Sequence, residues 1–360
     1  MSVQENMGIK KAIQKKIVER KALDPEEAYA AMRDILLGNA TPAQVGAFLV
    51  ALKVQEPEAA EVAALVHCMK DLGNMIRPIT SHPVVDTCGT GGDTLKTINI
   101  STLSALVAAG AGVTVAKHGN RSVTSACGSA DVLEHFGVNI MAPPQIVERS
   151  IREAGIGFMF APVFHPAMKH AAGPRKEIGL RTIFNVLGPL TNPAGASGHV
   201  LGVYDKDLAP LMASVLVEAG VKRFFLVYNE HGADELLPAG KNHVHERLAD
   251  GKVAARTLEA ADFGLPAAAL SDLMVNKDKE SGIRAFMDIL KGAGPKALVD
   301  AVLMNSALAI IAGEKATDIK EAVKLARKSI ESGAALGKLR QLVEASGGSV
   351  QQFEKNMNLG

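Results

Sequence analysis

The residues best suited to chemistry fall in four short polar segments. Asp86-Thr87-Cys88-Gly89-Thr90-Gly91-Gly92-Asp93 follows the apolar run at 83–85 and precedes the helix-forming Asn99-Ile100-Ser101-Thr102. Gly89, Gly91 and Gly92 permit a tight turn and let backbone N–H groups approach an anion. A helix N-terminus beyond them adds partial positive charge, and Asn99, Ser101 and Thr102 add side-chain donors. The spacing is neither G-x-x-x-x-G-K-[ST] nor G-x-G-x-x-G. It reads as a phosphate turn of another kind, against the plainer alternative of a strand-end turn without a ligand. Lys117-His118-Gly119-Asn120-Arg121-Ser122 closes a second β-run, and Ser125, Gly128 and Ser129 continue it into a helix. Two cations and several neutral donors at a strand end suit an anion, because open α/β sheets bind ligands there; a solvated basic turn is the alternative. Pro174-Arg175-Lys176-Glu177-Ile178-Gly179-Leu180-Arg181-Thr182 offers two guanidinium groups. Their planar fork matches a carboxylate, and a structural ion pair would use the same residues. Asp234-Glu235 follows the apolar strand at 224–228. Adjacent acids in a strand-end loop suit Mg²⁺, an oxygen-seeking ion that usually arrives with phosphates, although such pairs also occur on solvated surfaces.

These segments need elements to position them. The first seventy or so residues read as helices. Ile9, Ile13 and Ile17 repeat on one helical face, and Asp24-Pro25-Glu26-Glu27 opens a helix that Gly38 ends. Thr41-Pro42-Ala43-Gln44 opens another with a capping-box pattern, and a fourth carries Val62, Leu65 and Met69 before Gly73. From Pro83 the texture changes to β-branched runs at 84–85, 113–116, 156–160, 199–204 and 224–228, with helical stretches between them. That alternation predicts a mostly parallel sheet with crossover helices. From Lys279 the pattern returns to helix, with 305–311 as a buried segment. The expected architecture is α/β: a small N-terminal helical domain, 1–78, before a larger α/β domain, 79–360, with a mostly parallel central sheet.

Composition narrows the function classes. The chain has 360 residues, 48% apolar and 21% charged, with 39 Lys and Arg against 38 Asp and Glu. A net charge of +1 argues against bulk binding to nucleic acid or to a membrane surface, while leaving room for a local cationic pocket. Cys68, Cys88 and Cys127 form no CxxC and no disulfide framework, which fits a reducing cytoplasm. The first twenty residues carry Lys10, Lys11, Lys15, Lys16 and Arg20 without an apolar core, so no secretory signal is read there. The longest apolar stretch, 103–116, is interrupted and falls short of the roughly 20 residues that span a bilayer.

Taken in order, the segments resemble the anthranilate phosphoribosyltransferase family of tryptophan biosynthesis. The resemblance rests on GTGGD at 89–93, NIST at 99–102, KHGNRS at 117–122, RTIFNVLGPLTNP at 181–193 and DE at 234–235, with the helical stretch at 40–49. A lone GTGGD is weak; five such elements in one order are specific. The resemblance implies a nucleoside-phosphorylase-like fold with the active site between the domains. It implies a homodimer formed through the helical domain, which would be joined by helices around 175–195. It implies phosphoribosyl diphosphate and anthranilate as substrates, with Mg²⁺, two ions, as cofactor. Carried over residue by residue, the phosphoribosyl diphosphate contacts would be Gly89, Gly92, Asp93, Thr97, Asn99, Ile100, Ser101, Thr102, Lys117, His118, Gly119, Asn120, Arg121, Ser122, Val123, Thr124, Ser125 and Ser129. Anthranilate would meet Gly89, Asn120 and Arg175, with His118 and His165 beside its path. Ser101, Asp234 and Glu235 would serve the metal.

No general acid or base is implied, since the aromatic amine is already unprotonated near neutral pH. Catalysis would rest on positioning and on charge neutralisation at the leaving group. Thr94-Leu95-Lys96, Ala126-Cys127 and the stretch 276–284 depart from the family's usual residues. The competing readings are a pyrimidine nucleoside phosphorylase of the same fold and a non-catalytic paralogue that binds nucleic acid. The intact DE pair argues against the first and the near-zero net charge against the second.

Overall fold

The computed structural model describes residues 7–91, 95, 97–121, 127–274 and 278–357. Four helices lead: α1 (Met7–Ile17), α2 (Pro25–Leu36), α3 (Pro42–Val54) and α4 (Ala59–Asp71). Their starts follow the local sequence. Thr41 Oγ1 accepts from the Gln44 N–H at 3.3 Å while the Gln44 side chain accepts from the Thr41 N–H at 2.9 Å, and Pro42 fills the first turn. Ile9, Met32, Phe48, Leu49 and Leu65 pack in one core between these helices. One charge pair is buried with them. Lys16 Nζ lies 2.8 Å from Glu61 Oε1, both side chains only 1% exposed, and the Leu23 N–H donates to the same carboxylate.

The rest is built on a seven-stranded sheet. In chain order it runs β1 (Val84–Gly89), α5 (Ile100–Gly110), β2 (Thr114–Gly119), α6 (Ser129–His135), α7 (Pro144–Ala154), β3 (Ile156–Phe160), α8 (Ala161–Phe164), α9 (Lys169–Ile178) and α10 (Ile183–Leu190). Then come β4 (Gly198–Gly202), α11 (Leu208–Glu218), β5 (Arg223–Asn229), β6 (Asn242–Arg247) and β7 (Val253–Leu258). Spatially the order is β3-β2-β1-β4-β5-β6-β7. The strands are parallel from β3 through β5, and β6 and β7 are antiparallel. The chain builds outward from β1 on one side and from β4 on the other. The order therefore reverses between β1 and β4, and ligand crevices open beyond the carboxyl ends at such a reversal.

The hairpin of β6 and β7 lies outside the sequence reading. β6 alternates buried and half-buried residues, and β7 is largely exposed, so neither gives a β-branched run. Behind the sheet, α12 (Lys279–Leu290), α13 (Lys296–Ala312), α14 (Ile319–Glu331), α15 (Ala334–Ala345) and α16 (Val350–Met357) close the chain. α13 is buried from Ala301 to Ala312, which includes the predicted segment, and packs on α5 and α14. The helical layer draws on later sequence too: α9 packs on α2 and α3, and α10 on α3 and α4. Among the described residues, no helix is long and apolar enough to cross a membrane.

Candidate active site

The carboxyl ends of β1, β2 and β4 meet. Gly89 stands opposite Gly202 in the β1–β4 register. A Cβ on Gly89 would lie 2.3 Å from Asp234 Oδ2, and one on Gly202 would lie 1.6 Å from the Asp234 carbonyl oxygen. Both positions are glycine because Asp234 is laid directly on them. Gly91 is glycine for another reason: its φ is +65°, and its N–H donates to Asp234 Oδ2 at 2.9 Å. Burial raises the Asp234 pKa, opposed by that N–H and by the charge of Arg181. Beside it, Glu235 Oε1 accepts from the Ser101 N–H at 3.1 Å, and the Thr97 hydroxyl lies 3.4 Å from its other oxygen. The positive end of α5, which the sequence offers to a phosphate, is thus met here by Glu235. The Ile100 and Thr102 N–H groups are bonded to Ile98 and Asn99 carbonyls.

The second predicted loop leans on the first. Lys117 is buried, and its ammonium donates to the Thr87 carbonyl at 2.5 Å and the Ser101 hydroxyl at 3.4 Å. Burial lowers its pKa, and the charges of Asp86 and Glu235 oppose that shift. The Asn99 side chain donates to the Cys127 carbonyl at 3.0 Å, tying the two loops together. Ser129 Oγ donates to the Asn120 carbonyl at 3.2 Å. Arg121 is matched by acids on α6: its guanidinium forks onto Glu134 at 2.8 Å and reaches Asp131 at 2.8 Å. Ile100 and Thr102 turn their side chains inward, and the Thr102 hydroxyl has no hydrogen-bond partner among the described residues.

A cavity of about 670 Å³ opens between these strand ends and α9–α10. Gly89, His118, Gly119, Asn120, His165 and Arg175 all line it. His118 and His165 meet edge to face with ring centres 5.3 Å apart. Burial, with His165 alongside, pushes the His118 pKa down to about 3, and burial lowers that of His165 as well. Both rings are therefore neutral walls near pH 7. His165 Nε2 lies 3.1 Å from the Thr191 carbonyl, which can only accept, so this nitrogen carries the proton. The Arg175 guanidinium sits over the Phe184 ring at 5.1 Å. Among the described residues it has no carboxylate partner, so its N–H fork is left for a ligand. Burial lowers its pKa. Arg181 is placed differently, over Tyr204 at 4.3 Å and outside the cavity lining.

The structure brings Gly89, Thr97, Asn99, Ser101, Lys117, His118, Gly119, Asn120, His165, Arg175, Asp234 and Glu235 into one region. The expectations for Gly92, Asp93, Ser122, Val123, Thr124 and Ser125 fall outside the described residues, as do Thr94, Lys96 and Ala126. Leu95 packs against the main core. Three contributors escaped the sequence reading. Met69 and Phe184 line the cavity but look like ordinary helix-face residues. Asn305, buried in α13, accepts from the Leu236 N–H at 3.0 Å and donates to the Leu236 carbonyl at 2.8 Å, which fixes the residue after the acid pair. An amide inside an apolar helix was its available signal.

Asp234, Glu235 and the Ser101 hydroxyl are hard oxygen donors, suited to Mg²⁺. No cluster of three or more His, Cys, Asp or Glu side chains with metal-holding geometry occurs among the described residues. An ion here would complete its shell with water and substrate oxygens, as Mg²⁺ commonly does.

Residues 10–73 match the helical bundle domain, and residues 81–336 the a/b domain, of a glycosyl transferase family. The anthranilate phosphoribosyltransferase of Thermoanaerobacter sp. (strain X514) is 46% identical over 332 residues, covering 92% of this chain and 96% of that one. That of Moorella thermoacetica is 47% identical over 329 residues, covering 91% and 96%. The crystal structure of the Thermus thermophilus enzyme gives a TM-score of 0.87 at 42% identity, covering 94% of this chain and 99% of that one. The Saccharomyces cerevisiae enzyme in complex with PRPP and Mg gives 0.85 at 29% identity, covering 94% and 98%.

Proposed function

The chain belongs to the anthranilate phosphoribosyltransferase family, and from that membership we infer that it transfers the phosphoribosyl group of phosphoribosyl diphosphate to the amine of anthranilate, in tryptophan biosynthesis. The observation that carries the reading to this site is a single cavity. An arginine without a counter-charge among the described residues faces it from α9, and the glycine turn beside the acid pair faces it from β1. In the reaction the amine nitrogen forms a bond to ribose C1 as the C1–oxygen bond breaks. The electron pair leaves with diphosphate, and the nitrogen loses its extra proton to solvent.

Each group then has a part. Arg175 holds the anthranilate carboxylate bidentately and aims the ortho amine at C1. His118 and His165, neutral by burial, give the aromatic ring two flat walls without competing for the carboxylate. The loops after β1 and β2, with Lys117, Ser101 and Asn99, hold the diphosphate and ribose phosphate. Asp234, Glu235 and Ser101 hold magnesium, two ions in this proposal, and Mg²⁺ supplies charge neutralisation for the leaving diphosphate. A homodimer through the helical layer fits the exposed Ile17 and Val18 at the end of α1 and Val50 and Val54 on the adjoining α3. Sedimentation of a Val50→Glu, Val54→Glu variant, expected to be monomeric, tests that surface. The free cysteines fit a cytoplasmic setting.

Anthranilate fluoresces, so its consumption reads the activity directly. Signal is lost only when phosphoribosyl diphosphate and Mg²⁺ are both present. An unchanged signal with both, or phosphorolysis of uridine instead, overturns the assignment.

A further inference from the structure

Asp86 is wholly buried in β1 and does not line the cavity, yet its carboxylate joins the segments that do. Oδ1 accepts from the His118 backbone N–H at 3.1 Å. Oδ2 accepts from the Asn192 side-chain amide at 2.7 Å, with the Cys88 thiol at 3.5 Å. Asn192 in turn donates to the Ala116 carbonyl at 2.9 Å and accepts from the Ala194 N–H at 2.9 Å. Its neighbour Thr191 holds the His165 ring. The His118 backbone and the turn that holds the His165 ring are therefore both registered to one carboxylate. The next residue along the strand serves the other substrate. The Thr87 hydroxyl donates to the Ser101 carbonyl at 2.8 Å, and the Thr87 carbonyl accepts from Lys117.

We propose that Asp86 is a positioning residue, which holds the anthranilate side of the cavity in register with the phosphoribosyl side by fixing His118 and the Thr191–Asn192 turn to β1. This rests on the assignment of the cavity to those two substrates. A buried carboxylate is suited to the task because it accepts from several donors at once, and low surrounding polarity strengthens each bond. A misplacement on the order of 1 Å between reacting groups lowers turnover far more than it lowers either binding step.

The test is Asp86→Asn. Its amide would face the Asn192 amide, donor against donor, and drive the 191–192 turn away, while the bond from the His118 N–H survives. The expected result is a fall in kcat of roughly tenfold or more, with KM for phosphoribosyl diphosphate within about threefold of the parent. The NMR signals of the His118 and His165 rings should shift. Adding Asn192→Asp restores a donor–acceptor pair and should recover part of kcat, although the new carboxylate faces the Ala116 carbonyl. If Asp86→Asn alone does not fold, a folded and active double variant carries the same conclusion. Unchanged kcat with unshifted histidine signals overturns the proposal, as do equal rises in both KM values or a double variant no better than the worse single one. Wild-type turnover, measured alongside, tests the substrate assignment separately.

Discussion

Gly89→Ala should separate catalysis from stability. The new Cβ would fall 2.3 Å from Asp234 Oδ2 and 3.0 Å from its Cγ. Normal contact begins near 3.5 Å, so the carboxylate must retreat by about 1 Å. It can do so, because the clash is with the tip of a side chain and not with backbone. The fold should therefore survive with little change in Tm. The cost falls on function: the carboxylate leaves the Gly91 N–H and its place over the β1–β4 strand ends. A shift on the order of 1 Å at such a group costs on the order of 100-fold in kcat/KM, or about 2.7 kcal/mol. Gly91→Ala is the contrasting variant. Among the described residues nothing lies within 4 Å of its added Cβ, but its φ of +65° strains any L side chain. That strain is roughly 1–2 kcal/mol and should appear in Tm, with turnover changed by less than about tenfold. Initial rates at several Mg²⁺ concentrations, with calorimetry on both variants, decide the matter. Wild-type kcat/KM and unaltered Mg²⁺ dependence in Gly89→Ala would refute the reasoning.

Other expectations concern separate groups. Arg175→Ala should raise KM for anthranilate by the roughly 1.5–3 kcal/mol of a charge-assisted pair, about 10- to 150-fold, and leave KM for phosphoribosyl diphosphate nearly unchanged in steady-state kinetics. Asp234→Asn with Glu235→Gln should abolish Mg²⁺-dependent turnover while far-ultraviolet circular dichroism stays the same. His118, His165 and His199 are held neutral by burial. Below pH 6.5 the unfolded chain takes up protons that the folded one refuses. Their stabilising contribution is therefore complete above that pH and is lost as pH falls. His118 alone, with its pKa at about 3, should lose about 2 kcal/mol by pH 5. His118→Gln should flatten that part of the Tm–pH curve. Glu61→Gln leaves Lys16 buried without its counter-charge and should cost about 3–5 kcal/mol in denaturant unfolding.

The core of the sheet was legible because β1 to β5 are short β-branched runs separated by clear helical patterns. The β6–β7 hairpin was not, because β6 is mostly polar though half-buried and the edge strand β7 is largely exposed, so neither shows an apolar run; Asp250-Gly251 in the intervening turn is the local hint of it. At the site, residue types were legible and geometry was not. The sequence marked Gly89 as a glycine suited to a turn, whereas the reason for it is Asp234, far along the chain, pressed against it. It marked Arg175 and Arg181 alike, and only the surroundings of each, Phe184 and the cavity against Tyr204, tell them apart. Met69 was invisible as a site residue because its contribution lies in what the fold brings beside it, and Asn305 showed only as an amide inside an apolar helix.

Arg175 and Phe184 belong to helices that share a core with α2 to α4, whereas α5 and Val115 of β2 belong to the larger core behind the sheet. In the proposed assignment the arginine that clamps the nucleophile's carboxylate thus stands on a different scaffold from the acid pair at the leaving group, while His118 and Asn120 reach the same cavity from β2 and the loop after it. On that assignment, an engineer seeking to accept another aromatic acid would recut α9 and α10 first, where the carboxylate clamp can be moved without touching the acid pair.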